Sequence, residues 1–96
     1  MKHTLIPLCI AASLLCAAPA FAQDCYADYK AKQDDPLRLH YGVATVDGPC
    51  TAENALIELK ARLSAEGWTL LSVLATFTED GLAERKDSAG PYYLRF

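Results

Sequence analysis

The side chains able to do chemistry are few, and their spacing decides little. His40 lies between Arg38 and Tyr41 on an alternating run, and the chain ends in Tyr93-Leu94-Arg95-Phe96. If those two runs are paired strands, Arg38, His40, Tyr93 and Arg95 can share one positive, aromatic-edged sheet face, with Lys30 nearby. Such a face suits an anionic or peptide ligand, and the four residues form the candidate binding set. As a general base His40 would need a nucleophile within reach and an orienting carboxylate. Ser64, Ser72 and Ser88 are present, but none sits in a G-x-S-x-G turn. A lone histidine beside an arginine on the outward face of a strand reads first as a solvated sheet residue.

The remaining constellations are weaker still. Cys25 and Cys50 lack C-x-x-C spacing and read as a structural disulfide rather than a redox pair. A zinc site built from them and His40 would need both thiols reduced. Asp34-Asp35 and Glu79-Asp80-Gly81 lack the spaced oxygen ligands of a calcium loop and read as turns. No motif selects a carboxylate pair for glycoside cleavage. Trp68 and the tyrosines could stack on a ligand, but aromatics on strands belong more often to the core. The reading is therefore of a non-enzyme with no catalytic residue, metal or cofactor.

The elements that would carry these residues are clearer. Met1-Lys2-His3, the apolar run Leu5 to Ala18 and the Ala20-Phe21-Ala22 site have the layout of a secretory signal peptide cleaved after Ala22. The apolar run is too short to span a bilayer comfortably, so no stable membrane anchor is expected. Residues 1–22 are then the signal and 23–96 one small domain in the periplasm or secreted. Cys9 and Cys16 leave with the signal, and Cys25 and Cys50 remain to pair in an oxidising compartment. Closing that loop stabilises a small core by roughly 3 kcal/mol in the chain-entropy model. Removing Lys2 leaves eight basic against twelve acidic residues, a net charge of −4, which disfavours nucleic acid and anionic membrane as partners.

Cys25 to Gln33 alternates with Cys25, Ala27, Tyr29 and Ala31 on one face. Asp34-Asp35-Pro36 is turn chemistry. Leu37 to Val46 alternates again, with Leu37, Leu39, Tyr41 and Val43 opposite Arg38, His40, Gly42 and Ala44, which makes a hairpin. Ala52, Ala55, Leu56, Leu59 and Leu63 form a helical stripe, with Thr51 as N-cap and Gly67 as the stop. Trp68 to Phe77 is an unbroken apolar strand without a turn residue. Its alternation sets Leu71, Val73, Ala75 and Phe77 against Trp68, Leu70, Ser72, Leu74 and Thr76. Gly81 to Gly90 is polar with one helical turn, and Pro91 to Phe96 reads as a closing strand with Tyr92, Leu94 and Phe96 inward.

The expected fold is α+β: a two-layer sandwich in β-β-α-β-β order, its four-stranded, mostly antiparallel sheet carrying one helix on one face. Trp68, Tyr92 and Phe96 should be largely buried. The helix, Glu66-Gly67-Trp68, the apolar strand and the terminal Tyr92-Tyr93-Leu94-Arg95-Phe96 resemble small bacterial domains of unknown function. With the signal and two cysteines, the chain is similar to uncharacterised secreted proteins of Gram-negative bacteria. The resemblance brings no activity, ligand or catalytic residue. One helix covers one sheet face, so the other is expected to meet a partner protein or a second copy in a homodimer. The function expected is a small periplasmic interaction module. The alternative is a small-ligand binder or minor envelope enzyme using His40, Arg38 and Arg95.

Overall fold

The computed structural model describes residues 24–96, and the signal peptide expected over residues 1–22 lies outside them. Strand β1 (Cys25–Gln33) and strand β2 (Arg38–Val46) form the expected hairpin around a turn at residues 34–37. Helix α1 (Ala52–Ala65) follows, then strand β3 (Thr69–Phe77). A 3-10 turn (Glu79–Gly81), helix α2 (Ala83–Ala89) and a second 3-10 turn (Gly90–Tyr92) complete the chain. The described fold is α+β, with an antiparallel sheet in the order β2-β1-β3.

Helix α1 begins where its sequence says it should. The Thr51 hydroxyl accepts a hydrogen bond from the Asn54 amide at 3.1 Å, which satisfies one of the free N–H groups of the first turn. At the other end Gly67 takes a φ of 85°, open to glycine without steric cost. Ala55, Leu59 and Leu63 are buried, one every helical turn, whereas Leu56 is exposed. The stripe is narrower than expected because the flank carrying Asn54, Glu58 and Arg62 turns toward β2. Glu58 accepts from the amides of Asp47 and Gly48, each at 2.8 Å, and Arg62 donates to the Thr45 carbonyl at 2.7 Å. Leu56 therefore sits on the opposite flank.

Register explains which face of the hairpin the helix covers. Cys25, Ala27, Tyr29 and Ala31 pair directly with Val46, Ala44, Gly42 and His40. Directly paired residues lie on the same side of a sheet. All eight are buried. His40 thus faces the helix layer, not outward as expected.

The expected alternation along β3 fails for a separate reason. Asp28 and Tyr29 pair with Ala75 and Val73, and Lys30 and Ala31 with Ser72 and Leu70, so Leu74 and Leu71 are each skipped. These two bulges change the period. Leu70, Val73 and Thr76, three apart, pair with the helix-facing residues of β1, while Leu71 and Leu74 are left about half exposed, at 50% and 49%. β3 is not buried on both faces.

The fourth strand is replaced by a strap. Pro91 has no amide to donate and Leu94 has a φ of 59°, so neither fits a continuous ladder. What remains is one parallel bridge between Val43 and Tyr93, with the Leu94 amide donating to the Val43 carbonyl at 2.8 Å. Among the described residues the sheet therefore has three strands rather than four. A second helix, α2, also covers part of the face opposite α1, where one helix on one face was expected. From α2 the chain passes around the β2 edge, and Tyr92 and Phe96 pack against His40 and Tyr29 on the α1 side.

A disulfide joins Cys25 to Cys50, 25 residues apart, and ties the start of β1 to the residue before the helix cap. No described helix is long and apolar enough to cross a membrane. Replacing both cysteines with alanine should lower the unfolding free energy by about 3 kcal/mol in the chain-entropy model. Urea denaturation of the two proteins checks this.

Candidate functional site

Two clusters, one on each side of the sheet, hold the polar chemistry of the described chain. On the α1 side, His40 is only 8% exposed. Its Nε2 is 2.9 Å from the Tyr29 hydroxyl, which crosses from β1. The Tyr92 ring stacks on the imidazole at 3.7 Å between centroids with a 12° tilt, and Trp68 meets it edge-on at 4.2 Å. Phe96 meets Tyr29 edge-on at 5.9 Å. Trp68, Tyr92 and Phe96 are half-buried rather than largely buried, because they form the rim of this box and not the centre of the core.

Gly42 makes the box geometrically feasible. A Cβ at this position would lie 2.4 Å from the Tyr29 hydroxyl and 2.5 Å from the ring carbon that bears it. The Tyr29 ring therefore lies directly across β2 and reaches the histidine two residues away. Burial governs the titration of both partners: it pushes the Tyr29 hydroxyl upward and the His40 imidazole below its ordinary range. His40 Nδ1 is buried and has no hydrogen-bond partner among the described residues.

On the opposite side, Asp28 is buried at the centre of β1. Its Oδ2 accepts from the Tyr41 hydroxyl at 2.9 Å and from Arg85 Nε at 3.0 Å. Arg85 also donates to the Gly81 carbonyl at 2.8 Å and lies over the Phe77 ring at 3.9 Å. Burial, reinforced by the hydrogen bond to Asp28, pushes the Tyr41 hydroxyl up to about 12, and the bond to Asp28 raises Arg85 further. This latch fastens α2 to one end of the face.

The other end of that face is open. Leu39 and Leu71, 66% and 50% exposed, border a groove of 270 Å³ with Lys30, Ala31, His40 and Tyr41. Lys30 makes no ion pair among the described residues.

The four residues expected to form one binding face are not gathered. His40 is enclosed under Tyr92, and Arg38 is exposed at the start of β2. Tyr93 lies beside Lys86, whose Nζ is 5.8 Å from the ring. Arg95 borders a separate hollow with Arg62, Glu66 and Phe96. No hydrogen bond or ion pair joins the four among the described residues. Trp68 and the tyrosines stood out in sequence as stacking or core residues, but their gathering around His40 and the Asp28–Tyr41–Arg85 latch did not. Gly42 was the available signal, since a glycine inside a strand marks a close approach.

Among the described residues no three His, Cys, Asp or Glu side chains cluster to hold a metal ion. In comparisons with protein-family models, curated proteins and solved structures, nothing matches this chain.

Gly42→Ala should cost about 2–4 kcal/mol, because the clash is with a ring held on every side. It should also shift the His40 ring resonances in NMR spectra. Arg85→Met should cost about 2–4 kcal/mol by leaving a buried carboxylate with one donor. Combining it with Asp28→Asn should lose less than the sum of the single changes, measured by chemical denaturation in a double-mutant cycle.

Proposed function

We propose that this protein is a small exported interaction module that holds a partner protein at the open end of its sheet. The observation that carries the reading is the exposure of Leu39 and Leu71 around one groove, on a face whose other end is closed by α2. Exposed apolar side chains grouped around a concavity, with a polar rim, are the usual form of a protein-binding surface. Lys30, without an ion-pair partner among the described residues, adds a positive charge to the groove of an otherwise acidic chain. The occupant with matching chemistry is a segment of another protein that supplies an apolar side chain next to a carboxylate. The disulfide fits an oxidising compartment such as the periplasm.

The ligand-binding alternative gains no support from the geometry, because His40, Arg38 and Arg95 do not converge on a pocket. The double substitution Leu39→Ser and Leu71→Ser should leave the melting temperature within a few degrees of the parent, since both side chains are largely solvated. It should abolish capture of the partner by in-cell crosslinking, and Lys30→Glu should weaken that capture. Crosslinked species unchanged in the double variant would refute this reading. Light scattering that shows a dimer lost in the double variant would replace the foreign partner with a second copy.

A further inference from the structure

His40 is buried without the arrangement a charged imidazole needs. One ring nitrogen meets the Tyr29 hydroxyl at 2.9 Å, and the other is enclosed with no acceptor. The neighbouring elements offer no carboxylate bond. β1 presents the Tyr29 hydroxyl, the link from α1 to β3 presents the Trp68 ring, and the C-terminal strap presents Tyr92. On α1, Arg62 sits over Phe96 at 5.4 Å, and beyond it Arg95 and Glu66 border the same hollow. Lys30, on β1, lines the groove that His40 also borders.

The strap above His40 is lightly held. Between Gly90 and Phe96 its backbone is fixed to the sheet at one bridge, where the Leu94 amide donates to the Val43 carbonyl. It begins at Gly90, with a φ of 55°, and includes Leu94 at 59°, a conformation that disfavours a leucine. Its aromatic seats are the stack of Tyr92 on the imidazole, the edge of Trp68 against Tyr92, and Phe96 against Tyr29 at the margin of the core.

We propose that His40 is a proton-operated catch for the C-terminal strap: protonation of the ring releases residues 90–96 from the sheet and uncovers the Tyr29–Trp68 side of the fold. The ring face of Tyr92 attracts a cation weakly, but it gives Nδ1–H no acceptor. The imidazolium therefore turns out to water, and the ring stacked on it leaves with it. Burial holds the imidazole below its ordinary 6.5. The unfolded chain therefore takes up the proton first. Stability from this group is fully present above about 6.5 and is lost as pH falls through the lower folded value. The same sign applies to strap closure, because the open strap frees the ring as unfolding does.

The test is residue-resolved NMR on the oxidised protein between pH 7.5 and 4.5, following the His40 ring protons and amide exchange at Leu94. The expected result is a His40 midpoint below 6.5, with at least a tenfold loss of Leu94 protection on the same curve. Amides of the β1–β2 ladder remain protected. In His40→Phe, which keeps an aromatic seat for Tyr92 but cannot titrate, Leu94 should stay protected throughout. Should that variant fail to fold, Tyr92→Ala gives the reciprocal result: the His40 midpoint should move up toward 6.5. Leu94 remaining protected after His40 has titrated would overturn the proposal. So would parallel loss in His40→Phe, which assigns the change to other groups, or an unmoved midpoint in Tyr92→Ala.

Discussion

Tyr29 can lie across the neighbouring strand only because residue 42 has no side chain, and much of the α1 side follows from that one missing carbon. With a Cβ at 2.4 Å from its hydroxyl, the ring would have to rotate away from β2. His40 would then lose its hydrogen-bonding neighbour, and Tyr92 and Phe96 would lose the surface on which they close. A glycine inside a strand weakens the strand locally. Here the loss is offset by burial of a large aromatic ring that also supplies a polar contact to a buried histidine.

The opposite face is organised by charge rather than by the absence of a side chain. Asp28 is buried in the middle strand, where an unpaired carboxylate would be costly. Tyr41 and Arg85 both donate to its Oδ2, while Oδ1 is buried without a partner among the described residues; because Arg85 belongs to α2, pairing the carboxylate also fixes the helix. A seven-residue helix is too short to be stable alone. Its attachment depends on Arg85, with Phe77 beneath the guanidinium and the buried Ala89 packed at its far end. The chain can then leave α2 at the β2 edge and turn onto the α1 side.

The hairpin, the helix with its cap and glycine stop, and the third strand were legible in sequence because each is encoded within a short window. Cys25, Ala27, Tyr29 and Ala31 do share the helix-facing side, as their alternation indicates. Which side of β2 joins them was not legible from β2 alone, since Leu37, Leu39, Tyr41 and Val43 are the more apolar set. Pairing register decided it, through the match of Gly42 with Tyr29, a relation between strands. The bulges at Leu71 and Leu74 were hidden for the same reason: a skipped residue has meaning only against a partner strand. The final segment has strand-like composition, but Pro91 and the left-handed Leu94 make it a strap. Of the four proposed site residues, each was placed by a face assignment that depended on one of these relations.

The two sides of the sheet are consequently held by interactions of different reach. The Asp28–Arg85 contact is a hydrogen-bonded ion pair with a buried carboxylate, and it is supported by a second donor and an aromatic ring. The strap is held by one backbone bridge, by Phe96 against Tyr29, and by ring stacking over a histidine that has an unpartnered nitrogen. The latch joins two opposite charges directly, whereas the strap requires its imidazole to stay neutral. Acid therefore reaches the strap through a group whose ordinary range is near neutrality. A loss of strap contacts before a loss of the sheet follows from that difference, because the strap adds no continuous strand to the β2-β1-β3 ladder.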